Sequence, residues 1–201
     1  MKTMETQVPA ISRESLLTLE AYAQQRGDLR ARVIEHKRHR TLHVGPHVTL
    51  IFEDEQTVRY QIQEMLRIER VFEDEAIRAE LDAYTPLVPD GTNLKATMLI
   101  EFEDPEQRRV ELSRLKGIER RVYLQVGSLP RIFAIADEDL ERENEEKTSA
   151  VHFLRFEFDL AAIAALREGS ALAAGIDHPN YSQRLDPVPP DIRAALMRDF
   201  A

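Results

Sequence analysis

Leu94-Lys-Ala-Thr-Met-Leu-Ile-Glu-Phe102 is the stretch whose reading decides the fold class. In an extended chain Leu94, Ala96, Met98, Ile100 and Phe102 share one side, and Lys95, Thr97, Leu99 and Glu101 share the other. That alternation predicts a strand with one face in a core. Residues 150–158 repeat the pattern, setting His152, Leu154, Phe156 and Phe158 against Val151, Phe153, Arg155 and Glu157. Residues 47–52 alternate likewise, and shorter strands are expected at 121–126 and 131–136.

Helices are expected between these strands. Ser12-Arg-Glu-Ser15 opens a first one, Arg26-Gly27-Asp28 punctuates it, and Asp28 caps a second running to about Arg40. Asp54 caps a long helix over about 55–72, followed by a shorter one over 73–84. Asp104-Pro105 starts another, because proline is tolerated at the first helical position. A short one spans 160–168. Strands and helices mix without strict alternation, which predicts an α+β fold: a mainly antiparallel sheet packed by a long, largely buried helix and by shorter ones. The expected organisation is one domain over 1–201, with N-terminal helices at 12–40 and a core at 41–168. Pro179, Pro187, Pro189 and Pro190 give an extended segment over 177–201 with a short last helix from Asp191.

The chain has 201 residues, 43% hydrophobic and 31% charged, with no cysteine. Without thiols it can form no disulfide, no cysteine-held zinc or iron–sulfur site and no thiol nucleophile. A net charge of -9 argues against nucleic acid, because phosphate neutralisation needs a basic surface. The first ten residues carry no secretory pattern, and the longest charge-free apolar stretch, 160–166, is far short of a membrane span. The expectation is a cytoplasmic protein that touches no membrane. Charge is nonetheless uneven. Residues 26–43 hold six Arg/Lys and three His, and residues 137–146 hold seven acids. These are two solvated faces, or surfaces that meet across a dimer or an acidic partner.

No phosphate-binding glycine loop, nucleophile elbow or zinc-protease motif occurs. The oddest residues lie in the long helix. Val58, Ile62, Met65, Leu66 and Phe72 form its apolar stripe, and Gln61, Glu64 and Glu69 fall within the apolar coverage. A carboxylate there must be paired, protonated or bound to a cation. The plainer reading is a buried ion pair. The sharper one brings Glu64, Glu69, Lys95 and His152 or Arg155 together as an acid–base site, with Glu64, Glu69 and His152 holding a divalent metal. His36, His39, His43 and His47 have helical spacing, but Gly45-Pro46 breaks the helix before the last. Asp177-His178-Pro179-Asn180-Tyr181 is a polar turn, an ordinary loop or a flap over a site.

Several strings together resemble a bacterial family of unknown function numbered 3501. They are Gly45-Pro46-His47, the run from Tyr60 to Arg70, that from Pro89 to Thr97, Ile135 to Arg142, and Lys147 to Phe156. The resemblance spans nearly the whole chain. It implies a single-domain cytoplasmic protein and supplies no activity. It also implies a setting beside rubrerythrin-like proteins and iron–sulfur oxidoreductases. The leading expectation is therefore an accessory or interaction protein, a homodimer with a redox protein partner. The alternative is a small metal-dependent or acid–base enzyme. Whether the chain is an enzyme stays open at this level.

Overall fold

The structure is a computed structural model that describes residues 11–136, 138 and 147–201. The acidic run at 137–146 lies outside the described residues except for Glu138. The chain forms two compact units. One comprises Met1–Glu35 and Asp54–Val88, and the other His36–Glu53 and Pro89–Ala201.

The first unit is helical. After a short 3-10 turn at Arg13–Ser15, α1 runs over Leu19–Arg38, leaving the unit after Glu35. It passes straight through Gly27, where two helices were expected. A single glycine costs a helix only about 1 kcal/mol, which does not break a pattern of good helix formers. Helix α2 covers Glu55–Glu69 and α3 covers Asp74–Tyr84. Asp54 caps α2 by accepting from the Thr57 amide at 3.0 Å, and the Asp54 amide donates to Thr57 Oγ1 at 2.9 Å. The core holds Ile11, Leu16, Val58, Ile62, Leu66, Ile77 and Leu81.

Helix α2 stops at Glu69, three residues before the expected end, because Arg70 turns left-handed at φ 56°. The last residue of the apolar stripe, Phe72, therefore leaves the core and is 72% exposed, and Ile68, on another side of the helix, is 60% exposed.

The second unit is a two-sheet structure. Strands β1 (Thr41–His43), β2 (Val48–Phe52), β3 (Asn93–Ile100), β4 (Val122–Val126), β5 (Ile132–Phe133), β6 (Ile135–Ala136), β7 (Val151–Glu157), β8 (Leu172–His178) and β9 (Tyr181–Leu185) pair antiparallel throughout. One sheet has the order β1-β2-β3-β7-β6 and the other β5-β4-β8-β9. The expected single strand at 131–136 is divided at Ala134, and its halves join different sheets. One apolar core runs through both, from Leu50, Met98 and Phe156 to Leu124, Ala174 and Ile176. Helices α4 (Pro105–Arg114), α5 (Leu160–Arg167) and α6 (Pro190–Leu196) complete the unit. The α+β class with antiparallel sheets is as expected. Strands β8 and β9 were not: part of the proline-rich stretch is a hairpin.

Two tertiary ties matter below. Arg40, 2% exposed, forms an ion pair with Asp199 and donates to the Phe52 and Glu53 carbonyls at 2.9 and 3.0 Å. Tyr181 donates its hydroxyl to the Val44 carbonyl at 2.8 Å and accepts from the His47 amide at 3.0 Å. That hydroxyl would lie 2.6 Å from a Cβ on Gly45, whose φ is +78°, so only glycine fits this turn. Among the described residues no helix is long and apolar enough to cross a membrane.

Candidate functional site

Glu64 and Glu69 lie in the first unit, and Lys95, His152 and Arg155 in the second. Among the described residues no group of three or more His, Asp or Glu side chains could hold a metal ion.

In the first unit Glu64 projects from α2 toward α1. It accepts from the Tyr22 hydroxyl at 2.6 Å and from Arg26 at 2.8 and 2.9 Å, with Arg67 at 3.3 Å. The fork of Arg26 on both carboxylate oxygens is the strong geometry for such a pair. The Arg26 bonds, with those of Tyr22 and Arg67, hold the Glu64 carboxyl down to about 2. Tyr22 is fully buried, and desolvation with the Glu64 bond pushes its phenol well above the usual range. The expected burial of Glu69 is overturned: it is exposed at the end of α2, where the helix has run past the core.

In the second unit Lys95 and Arg155 stand directly opposite each other on β3 and β7. Arg155 is held by Glu138, at 2.6 and 2.7 Å, and by Glu157. Burial pulls the Lys95 amine below the usual lysine range, and the Arg155 charge adds to this against the attraction of Asp90 and Glu157. His152, on the opposite face of β7, is completely buried. Its Nε2 lies 3.0 Å from Thr148 Oγ1 and 2.9 Å from the Ser149 carbonyl. Thr148 Oγ1 in turn lies 3.5 Å from Glu119, a carboxylate only 3% exposed. His152 thus reaches a carboxylate through Thr148, and that carboxylate is one the sequence pattern did not single out.

The histidines of the ladder have separate partners. His39 meets Asp191 at 3.1 Å, His43 meets Thr49 Oγ1 at 3.0 Å, and His47 stacks on Phe102 at 4.1 Å. Two cations of the basic segment are likewise engaged, Arg26 by Glu64 and Arg40 by Asp199.

A cleft of about 570 Å³ opens in the second unit where α4 ends. It is lined by Lys116, Gly117, Arg120, Arg121, Phe133 and the His178-Pro179 tip of the β8–β9 hairpin. Gly117 takes φ +78° and turns the chain from α4 into a 3-10 turn at Ile118–Arg121. The hairpin tip is bonded to the end of α4. His178 Nε2–H donates to the Lys116 carbonyl at 3.0 Å, Asn180 Nδ2 donates to the Arg114 carbonyl at 2.7 Å, and the Asn180 amide donates to His178 Nδ1 at 3.2 Å. These bonds fix the His178 tautomer and satisfy carbonyls that a helix end leaves open.

Two nearby acids each meet an arginine. Asp177 binds Arg131 at 2.8 Å, and Glu119 is buried with Thr148, its Oε1 3.8 Å from Arg120 Nε. Phe133 is braced by Tyr123, at 5.8 Å between ring centres, and Arg131 lies over the Tyr123 ring at 4.2 Å. The sequence signal for this cleft was the run Lys116-Gly-Ile-Glu-Arg-Arg121, three cations around one glycine.

Comparison with known proteins adds kinship without activity. A family model described as a protein of unknown function (DUF3501) matches residues 10–200. The crystal structure of a novel protein of unknown function from Burkholderia pseudomallei K96243 superimposes with a TM-score of 0.91 at 55% identity. The match covers 96% of this chain and 100% of that one. No curated protein matches.

Proposed function

Since the chain belongs to the family described as protein of unknown function (DUF3501), we propose its role from its geometry: an accessory, partner-binding protein of the cytoplasm. The setting we propose is the one the family resemblance implies, beside an iron–sulfur or rubrerythrin-type redox system. One observation carries the accessory reading. The side chains best suited to chemistry already have local partners: Glu64 is bound by Tyr22, Arg26 and Arg67, His152 by Thr148 and Ser149, and Arg155 by Glu138 and Glu157. Such closed sets stabilise a fold, whereas a catalytic group keeps a face open to its substrate. The zero cysteine count adds that any cluster on thiolates belongs to the partner.

The test is affinity isolation of the chain, tagged at its chromosomal locus, from a native host. Stoichiometric recovery of an iron–sulfur or rubrerythrin-type oxidoreductase is the expected result. Elution of the chain without such a partner at native levels overturns the reading.

A second reading, an acid–base enzyme, is favoured by Lys95 alone. Its amine is held below the usual range by burial and stands opposite Arg155. Competitive acylation across a pH series checks it: Lys95 should reach its full labelling rate at lower pH than Lys2, Lys37 and Lys147.

A further inference from the structure

We infer that the turn between α2 and α3 is the face by which the chain docks on its partner: Phe72 and Ile68 enter an apolar hollow of a protein whose rim is basic, and Glu69, Glu73, Glu75 and Glu80 meet that rim. This rests on the accessory reading and assigns it a surface. The first support is how the turn presents its side chains. Exposed apolar residues scattered singly are ordinary, but here two large ones, 60% and 72% exposed, lie within five positions. The turn that carries them is fastened. Val71 packs against the core of the first unit, and the Arg70 and Val71 amides both donate to the Leu66 carbonyl. Arg70 is the one non-glycine residue with a positive φ among the described residues, at a helix end where glycine is usual. Backbone held in such a conformation clusters at functional sites. A ring set out on a fixed turn binds with little ordering cost, and aromatic anchors of this kind carry most of the energy of an interface.

The second support is charge. Residues 69–82 hold Glu69, Glu73, Asp74, Glu75, Glu80 and Asp82 against Arg70 and Arg78. Asp74 is paired with Arg13 at 3.1 Å. Glu69, Glu73, Glu75 and Glu80 form no ion pair among the described residues. Burial and the Glu69 charge push the Glu80 carboxyl above the usual range. Carboxylates that repel one another in this way are relieved by cations brought from outside.

The same charge turns other occupants away. A second copy would set these acids against themselves, and nucleic acid and anionic lipid are repelled likewise. A basic protein surface is the complement. Opposite charge steers the encounter and selects the partner, and the two apolar side chains anchor it.

The experiment is photocrosslinking in the native host, with p-benzoylphenylalanine placed at position 72 of the full chain. The control places it at position 160, where Leu160 is highly exposed on the second unit. Position 72 should form an adduct with the oxidoreductase recovered by affinity isolation, through a peptide rich in lysine or arginine, and position 160 should not. Glu69→Lys with Glu73→Lys should lower the adduct yield by about fivefold or more. Glu103→Lys with Glu168→Lys, both exposed on the second unit, makes the same change in net charge and should leave the yield unchanged. Phe72→Ser in the tagged chain should lower partner recovery by about fivefold or more. Thermal melts confirm that each variant is folded.

Recovery of the partner without an adduct at position 72, or with an equal one at position 160, overturns this face and leaves the accessory reading standing. Equal loss in the Glu103 and Glu168 variant reduces the effect to bulk charge and overturns the basic rim. An adduct between two copies of the chain overturns the assignment to a different protein. An adduct that depends on Glu69 and Glu73, with a protein outside redox chemistry, supports the face and overturns the proposed setting. Neither adduct nor partner overturns both readings.

Discussion

Two polar constellations in this molecule answer opposite questions. In the first unit Tyr22, Arg26 and Arg67 converge on Glu64, and every charge there meets its counterpart. In the second, Lys116, Arg120 and Arg121 line a cleft, and Glu119 pairs with Arg120 at 3.8 Å. The same residue types make a close fastening in one place and a loose, exposed rim in the other. What separates them is burial and the closeness of the pairing: Arg26 meets Glu64 at 2.8 Å and is one-third exposed, whereas Arg120 meets Glu119 at 3.8 Å and is 78% exposed. Removing a member of the first should therefore cost stability, and removing members of the second should not.

The largest contrast comes from Glu64→Ala. It leaves Arg26, Arg67 and the buried Tyr22 hydroxyl facing one another without the carboxylate. Stranding a partner of a fully buried pair costs about 3–5 kcal/mol, and Arg26 is one-third exposed, so about 2–3 kcal/mol is expected in urea unfolding. Acid should do the same without mutation. Glu64 titrates near 4.5 when unfolded and about 2 when folded, so its contribution is full above pH 4.5 and is lost as pH falls toward 2. The loss amounts to at most about 3 kcal/mol. Glu64→Gln should flatten that limb of the stability–pH curve. A variant as acid-sensitive as the parent would place the effect elsewhere.

Gly175→Ala probes the packing of Tyr123, the ring behind Phe133. A Cβ at this position of β8 would meet the Tyr123 ring at 2.4 Å. Moving that buried ring should cost about 1–3 kcal/mol and shift the near-ultraviolet circular dichroism of the tyrosines. Gly27→Ala acts on the helix that carries Tyr22 and Arg26. Nothing lies within 4 Å of its added methyl, and the helix is regular there, so a gain of about 0.5–1 kcal/mol is expected. The smallest effect belongs to the cleft. Arg120→Glu with Arg121→Glu should change stability by no more than about 0.5 kcal/mol. A large loss there would show that these cations fasten the fold as Arg26 does.

Strands β3 and β7 were legible because each alternates between core and outer face over several residues, a local signal. The start of α2 was legible from Asp54, but its end was not. Nothing in Glu69-Arg70-Val71 announces a left-handed arginine, and the error in the end placed Glu69 in the core. Strand β8 was invisible because Leu172-Ala-Ala-Gly-Ile176 has the composition of no strand: its packing is decided by Tyr123 on the neighbouring strand. Glu64 stood out as a carboxylate amid apolar neighbours. Its partners did not, because Tyr22 and Arg26 lie some forty positions away and face it only when α1 packs on α2. The cleft was hidden for the same reason. His178 and Lys116 are 62 positions apart and no periodicity links them.

The pairing of Arg40 with Asp199 has a consequence for biosynthesis. Arg40 leaves the ribosome 159 positions ahead of the carboxylate that balances it. At about 5–20 residues per second, roughly 10–30 s pass before the pair can close. During that interval the guanidinium must stay hydrated, so the segment around β1 and β2 cannot settle into its final burial. A nascent chain cut short before Asp199 would lack the carboxylate that meets this buried guanidinium, and quality-control proteases should clear it. The ion pair thereby makes the final burial of β1 and β2 wait for synthesis to pass Asp199, independent of whatever the finished protein binds.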